Sequence, residues 1–113
     1  MAKPLYTTDQ TRHANLVELI DIASGAIVSK PLIDTGPIKQ ILFSMDVEQE
    51  ISQHKAPFPA MVQVLSGRLR FGIDGKDREM GAHDWVLMKP NEPHDLTALE
   101  PTRFMLTLIK DAS

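Results

Sequence analysis

The sequence predicts an all-β fold, either a barrel or a sandwich, and three observations support this prediction. About eight or nine short apolar stretches are separated by turns rich in Gly, Pro and Asp, which is the pattern of many short strands. No stretch shows the length and the regular period of a long helix. The chain has 113 residues, of which 42% are hydrophobic, so it is long enough for one domain around one core.

The first half of the chain predicts two strands and one ambiguous segment. Residues 16–22 form an apolar cluster that fits either a strand or a helical turn. Residues 26–33 predict a strand that Pro31 keeps at a sheet edge or a bulge, because proline lacks the N–H that a ladder needs. Residues 38–45 alternate between two faces, as a half-buried strand does. Residues 46–52 are acidic and polar, and we predict a loop there.

The second half predicts a hairpin and several further strands. Leu69, Phe71 and Ile73 alternate with Arg and Gly, which indicates a strand with one face in water. Asp74-Gly75 follows directly and favours a tight hairpin turn, because this pair tolerates positive φ angles. The remaining strands are predicted at residues 61–65, 76–80, 85–88, 95–99 and 103–109.

Composition and charge exclude several classes of function. The net charge of −3 offers no basic surface for nucleic acid, and the chain has no cysteine for a disulfide, a thiolate metal site or a nucleophile. No apolar run reaches the roughly 18 residues that span a membrane, and residues 1–10 lack the apolar core of a signal peptide. We therefore expect a cytoplasmic protein with no nucleic-acid or membrane partner.

Two segments place a histidine beside a short apolar strand. The first begins at His54, reads His-Lys-Ala-Pro-Phe-Pro-Ala-Met-Val-Gln-Val-Leu-Ser-Gly and ends at Gly67. The second runs from His83-Asp84 through an apolar strand to Pro90-Asn91-Glu92-Pro93-His94. These segments resemble the two motifs of the cupin superfamily, and the spacing from His54 to Gly67 is intact. The resemblance implies a cupin-type jelly roll, a double-stranded β-helix barrel.

The resemblance also implies the organisation of the chain. One cupin domain would cover residues 1–113. Residues 1–12 are polar, and this composition rather than the resemblance suggests a flexible arm or an arm that docks on a partner. We expect a homodimer, because the family resemblance favours one and because residues 103–109 are largely apolar on both faces. A small-molecule ligand is the expected partner of the barrel interior.

The metal ligands typical of the family are only partly present. In the register of the first motif, the second histidine falls on Ala56 and the glutamate falls on Ala60. His54 and His94 remain as candidate ligands for one divalent transition metal, and imidazole suits Zn, Fe, Ni or Mn. The sequence therefore predicts an incomplete metal site.

A third ligand and a metal-free alternative both stay open. In a regular strand Glu50 would lie on the same face as His54. The two residues are four positions apart, however, which is about 13 Å along an extended strand. Glu92 lies two residues before His94 in a turn. The alternative is that both histidines are hydrogen-bonded pocket or core residues, since neutral imidazole can donate and accept at once.

Alternation also selects apolar side chains that would line the core or the pocket. These candidates are Val62, Val64, Phe71, Met88, Leu96 and Phe104. Arg68 and Arg70 suggest either a basic patch or a solvated face that Asp77 and Glu79 balance, and we favour the balanced face. Trp85 is predicted to be a packing or interface anchor.

Three functions are compatible with these features. The leading hypothesis is a small-molecule-binding cupin of unassigned activity, with a pocket marked by two histidines and a divalent metal. The alternative is a metal-dependent oxygenase or isomerase that acts on a small organic substrate. A third is a metal-free enzyme in which His54 or His94 acts as a general base. A jelly roll hosts many unrelated chemistries, so the fold does not choose among them.

Overall fold

The structure is a computed structural model that describes residues 3–111. Within this range the chain forms one 3₁₀ helix and nine strands. The helix spans Leu16–Leu19, and the strands are β1 (Ile27–Asp34), β2 (Ile38–Met45), β3 (Glu50–His54), β4 (Ala60–Ser66), β5 (Arg68–Ile73), β6 (Lys76–Gly81), β7 (Trp85–Met88), β8 (His94–Ala98) and β9 (Thr102–Ile109). No helix in the described range is long and apolar enough to cross a membrane.

The strands form two sheets in which every pair of neighbours is antiparallel. One sheet has the order β1-β2-β9-β4-β7 and the other has the order β3-β8-β5-β6. Consecutive strands switch sheets except in the β1-β2 and β5-β6 pairs. β4 and β5 switch around Gly67, whose φ of +86° favours glycine. Side chains from both sheets meet in one core between them. This architecture confirms the predicted all-β jelly roll.

Most strand predictions are confirmed, and one loop prediction is wrong. β2 and β7 have the predicted bounds, and Asp74 and Gly75 both have positive φ angles in the turn between β5 and β6. Residues 46–52 were expected to form a loop, but β3 begins within them at Glu50. The reason is that β3 is an edge strand in which only Ile51 packs against the core. Its polar composition therefore does not indicate that it pairs in a sheet.

The barrel interior is filled by apolar side chains from both sheets. Phe43 and Phe104 stack inside it with ring centroids 4.9 Å apart. All six side chains selected by alternation lie in this cluster, and none is more than 3% exposed: Val62, Val64, Phe71, Met88, Leu96 and Phe104. They form the packed interior of the barrel.

A second, smaller cluster covers part of the outer face of the five-stranded sheet. Ile20 packs there against Leu32 and Leu42, together with side chains from the segment before β1. Hydrogen bonds fix this segment, since Arg103 Nε donates to the Ile20 carbonyl at 2.7 Å. The ambiguous residues 16–22 thus contain the 3₁₀ helix and a covering strap, not a strand.

The arm predicted over residues 1–12 docks on its own chain where the structure describes it. The backbone N–H groups of Leu5 and Tyr6 donate to the carbonyls of Pro31 and Leu32, each at 3.0 Å. Tyr6 also packs against the smaller cluster. Residues 5 and 6 are therefore held against β1 of the same chain. Residues 1 and 2 lie outside the described range.

The outer face of the four-stranded sheet is charged and internally balanced. Arg68 Nε donates to Glu79 at 3.2 Å, and Arg70 Nη1 donates to Asp77 at 2.8 Å. Arg70 Nη2 also lies 3.6 Å from an oxygen of Asp95. The structure thus confirms a solvated face of paired charges in place of a free basic patch. Such exposed pairs contribute little stability, typically about 0–1 kcal/mol each.

Candidate functional site

A β-bulge in β3 brings the two candidate histidines opposite each other. Ile51 pairs with Leu96, and His54 pairs with His94, so three steps along β3 match two steps along β8. One extra residue in a strand reverses the alternation of the side chains that follow it. The bulge therefore places His54 on the same side of the sheet as His94, which shares the inward parity of the buried Leu96.

The two imidazoles are in contact at one end of the barrel. Their ring centroids lie 4.2 Å apart, with the planes tilted by 59°. His94 also stacks on the buried Phe71, at 5.8 Å between centroids and 13° between planes. His94 is 7% exposed, whereas His54 is an exposed residue. The pair thus connects the apolar interior with solvent.

Backbone carbonyls fix the tautomer of both rings. His54 Nδ1 lies 2.9 Å from the Ser52 carbonyl oxygen, and His94 Nδ1 lies 2.8 Å from the Glu92 carbonyl oxygen. A carbonyl can only accept, so each Nδ1 donates its proton and each neutral ring keeps a lone pair on Nε2. Neither Nε2 has a hydrogen-bond partner in residues 3–111. Since no fully buried side-chain nitrogen or oxygen there lacks a partner, solvent reaches Nε2 of His94.

Burial keeps His94 neutral. It lowers the pKa of His94 below the ordinary value of 6.5, because a charged ring loses hydration there. The hydrogen bond to Glu92 raises this pKa, and the neighbouring His54 lowers it. A neutral imidazole with a free lone pair is the form that binds a metal ion or accepts a hydrogen bond.

The comparisons with known proteins agree with this architecture. A family model described as a cupin domain, Cupin_2, matches residues 41–109. The chain belongs to the Cupin_2 family. A search of curated proteins finds no match.

Solved structures of similar proteins have the same fold. A conserved protein of unknown function from Streptococcus pyogenes is 25% identical, with coverage of 98% of this chain and 97% of that chain and a TM-score of 0.84. A cupin superfamily protein from Desulfitobacterium hafniense is 17% identical, with coverage of 98% and 99% and a TM-score of 0.85. A cupin 2 conserved barrel domain protein from Leptotrichia buccalis is 30% identical, covers 86% of this chain and 47% of that chain, and has a TM-score of 0.81.

The two cupin motif positions that hold alanine are built into the fold in different ways. Ala60 is 3% exposed, pairs with Met88 and packs in the core. The Ala56 carbonyl accepts from the Asn91 N–H at 2.7 Å and so ties together the loops that precede β4 and β8. Neither side chain can ligate a metal. The site therefore depends on His54 and His94.

The carboxylates considered as a third ligand do not complete this cupin site. Glu50 pairs with Thr97, whose hydroxyl accepts from Arg70 on the charged outer face. Because of the bulge, Glu50 and His54 thus lie on opposite faces of the sheet, although they would share a face in an unbroken strand. Glu92 contributes its carbonyl to His94. No group of three or more His, Asp or Glu side chains within residues 3–111 is arranged to hold a metal ion.

A polar depression on the charged outer face is lined by His94 together with Asp74, Asp77 and Asp95. Its volume is about 370 Å³, and Gly72 forms its floor between Asp77 and Asp95. The side chain of Arg70 links Asp77 and Asp95, but Asp74 also lines the depression, so negative charge is in excess there. The bulge and the two carbonyl partners of the histidines were not found from the sequence, because backbone geometry of this kind leaves no mark on residue type.

Proposed function

We propose that this cupin binds a small molecule at the histidine end of its barrel, with one divalent transition metal held between His54 and His94. The observation that supports this proposal is that both Nδ1 atoms donate to backbone carbonyls while both Nε2 lone pairs stay free on adjacent rings. Histidines that ligate metals almost always donate their other ring N–H to such a partner. Phe71, which is fully buried, would support the His94 ring from the core side and would not itself contact the small molecule.

The donor set fits a borderline metal ion with an incomplete protein shell. Two neutral imidazoles suit Zn, Fe, Ni or Mn, and water or the small molecule would complete the coordination. Such an ion would act as a Lewis acid toward an oxygen or nitrogen atom of the ligand. The protein residues would orient the ion through the Ser52 and Glu92 carbonyls and would exclude water on the Phe71 side.

A binding role is favoured over the oxygenase or isomerase alternative. Catalytic metal sites usually have three protein ligands, or two histidines and one carboxylate. Here the outward position of Glu50 supports a shell of two protein ligands only. We expect weaker metal binding than in a complete cupin site.

The free lone pairs also indicate which ligand chemistry the site would accept. Two hydrogen-bond acceptors side by side attract a Lewis acid, an amine or a hydroxyl donor. A free carboxylate would meet two lone pairs, and it would bind only to protonated rings or through the metal. A small amine or hydroxyl compound is therefore the expected ligand class.

Calorimetric titration with Zn²⁺ and Mn²⁺ tests the proposal on full-length protein stripped of metal. We expect about one ion per chain, with binding weakened by at least about tenfold in His54→Ala, because even the loss of a second-shell partner has an effect of about 10–100-fold. His13→Ala is the matched control, since His13 is exposed and lies outside the pair. No binding by the wild type, or equal binding by His54→Ala, would refute the metal site.

Ligand screening tests the small-molecule part independently. Amines, alcohols and phenols would be screened by ligand-observed NMR against the wild type and His54→Ala, with and without Zn²⁺. Binding that disappears in His54→Ala supports the pocket. Binding that persists in that variant would place the ligand elsewhere.

The proposed assembly is a homodimer. Its support is the apolar outer face of the five-stranded sheet, where Trp85 is 57% exposed and Leu87 is 53% exposed. Large apolar side chains grouped on one face are typical of an interaction surface.

A further inference from the structure

The described part of the N-terminal arm forms one wall of a groove beside β1. The backbone hydrogen bonds from Leu5 and Tyr6 hold the arm against β1, which is the end strand of its sheet. Further along the chain, Asn15 Oδ1 accepts from the Val17 N–H at 3.1 Å and caps the 3₁₀ helix. The arm and the start of this helix border a groove over β1, which we call the arm groove.

A β-bulge in β1 supplies part of the apolar floor of the arm groove. The register of β1 against β2 shifts by one residue between Pro31 and Ile33, so Leu32 is the extra residue. In a bulge two consecutive residues oppose one residue of the partner strand. Leu32 packs with Leu42 on the outer face of the sheet, and both Leu32 and Ile33 line the groove. Two consecutive apolar side chains thus share one surface, which regular alternation would not allow.

The arm groove has the size and the lining of a small-molecule site. Its volume is about 400 Å³, and pockets for small molecules commonly have about 300–1,000 Å³, with apolar walls and a few polar groups. Ala14 and Leu16 add to the apolar surface. The lining side chains that carry polar atoms all come from the arm, and they are Tyr6, Thr7, Thr8, Gln10 and Arg12.

Among the residues that line the arm groove, only Arg12 is charged. Its guanidinium donates to the Gln10 side chain, and within residues 3–111 no carboxylate forms an ion pair with it. The carboxylate of Asp9 accepts from the Thr7 hydroxyl instead. A guanidinium has five N–H donors, so most of those of Arg12 remain available to an anion.

We infer that the arm groove is a second binding site of this protein, and that its ligand is a small monocarboxylate with an apolar body. A guanidinium and a carboxylate match in shape and can form two parallel hydrogen bonds. The single cation balances one negative charge, which favours a monoanion over a phosphate dianion. The apolar body of the ligand would lie on Leu32 and Ile33 and remove their surface from water.

This site differs from the histidine end of the barrel in position and in ligand chemistry. His54 and His94 belong to the other sheet. Their two free Nε2 lone pairs disfavour a carboxylate in the absence of metal, whereas Arg12 favours one. The two sites would therefore select ligands of opposite character.

Titration of full-length, metal-free protein with hexanoate, acetate and inorganic phosphate tests the inference. The measurement is the shift of backbone amide NMR signals at about pH 7.5, where both histidines are neutral. We expect hexanoate to shift the signals of residues 6–12 and 32–33 and to leave those of residues 52–54 and 94 unchanged. Hexanoate should bind more tightly than acetate, because its methylene groups cover the apolar floor, and phosphate should not shift these signals.

Three variants identify the group that binds the carboxylate. Arg12→Gln removes the charge, and we expect the affinity for hexanoate to fall by about tenfold or more, because hydrogen bonds to a charged group are lost. Arg78→Gln is the matched control, since Arg78 is also exposed and also pairs with no carboxylate within residues 3–111. Arg78→Gln and His54→Ala should both bind hexanoate like the wild type. Circular dichroism would establish that all three are folded.

Several outcomes would overturn the inference. A wild type that does not bind hexanoate, or an Arg12→Gln variant that binds it equally well, would show that the arm groove is not a carboxylate site. Acetate that binds as tightly as hexanoate, or phosphate that shifts the same signals, would contradict the proposed ligand class. Binding that disappears in His54→Ala would place the carboxylate at the histidine end. The metal titration depends on none of these results.

Discussion

His54 and His94 are cross-strand neighbours with ring centroids 4.2 Å apart, yet one is exposed and the other is buried. Burial lowers the pKa of His94, whereas His54 is the ring of the pair that is more open to solvent. Because His94 stacks on Phe71, it also connects the site to the packed core. The predictions that follow separate these roles.

Stability should fall on acidification because His94 resists protonation in the fold. Burial lowers the pKa of His94 in the fold, whereas the same side chain in the unfolded chain has a pKa of about 6.5. Below that pH the unfolded state binds more protons, so the free energy of unfolding decreases as the pH falls through the window beneath about 6.5. Urea unfolding at about pH 7.5 and 5.5 measures this loss, with the neutral variant His94→Gln as the reference. Equal pH dependence in both proteins would contradict this assignment.

Alanine substitution should lower the stability of the protein by different amounts at the two histidine positions. His94→Ala removes a buried ring from its stack on Phe71, and we expect a loss of about 1–3 kcal/mol. His54→Ala removes an exposed ring whose one hydrogen bond is local, so the change should stay within about 0.5 kcal/mol. Chemical denaturation of both variants at neutral pH provides the measurement. A larger loss at His54 would show that the exposed ring also stabilises the barrel.

The sequence predicted the fold well because the strands that build the core show their alternation. Leu69, Phe71 and Ile73 lie on one face of β5 and pack inside, as their spacing indicates. Asp74-Gly75 specifies its turn through the conformational freedom of two residues. These properties depend only on residues close together in the chain, so they can be predicted from the sequence.

The geometry of the candidate site was harder to predict from the sequence because it depends on a backbone irregularity. The identity of His54 and His94 could be read from motif spacing, but their contact requires the bulge between Ile51 and His54. Counting parity along an unbroken β3 puts Glu50 on the face of His54, whereas the bulge separates them. The strap around Ile20 was also hidden, since its apolar residues fit several conformations equally well.

Thr102 should stabilise the turn between β4 and β5 through its buried hydroxyl. The residue is fully buried, and its Oγ1 accepts from the Arg68 N–H at 3.1 Å and lies 3.0 Å from the Arg68 carbonyl oxygen and 2.8 Å from that of Glu100. Thr102→Val keeps the shape but leaves the Arg68 N–H without this acceptor, so we expect a loss of about 1–3 kcal/mol. Thr102→Ser retains the hydroxyl and should lose less, as thermal and urea unfolding would measure. A greater loss in the serine variant would indicate that the methyl group matters more.

Gly67 should be the least replaceable glycine of the chain among those that the structure describes. Its φ is +86°, and a β-carbon there would lie 2.2 Å from the Pro101 carbonyl oxygen and 2.7 Å from Thr102 Cα, both backbone atoms. Gly67→Ala must therefore displace the start of β9, and we expect a loss of stability of at least about 3 kcal/mol or failure to fold.

Gly25→Ala is the matched control, because Gly25 has a φ of +65° with nothing within 4 Å of the added carbon. Its expected loss is only the cost of the left-handed conformation, about 1–2 kcal/mol. The unfolding midpoints of the two variants separate the effect of the steric clash at Gly67 from the effect of a positive φ alone. Equal losses of stability would show that the backbone around Pro101 can move aside at little cost.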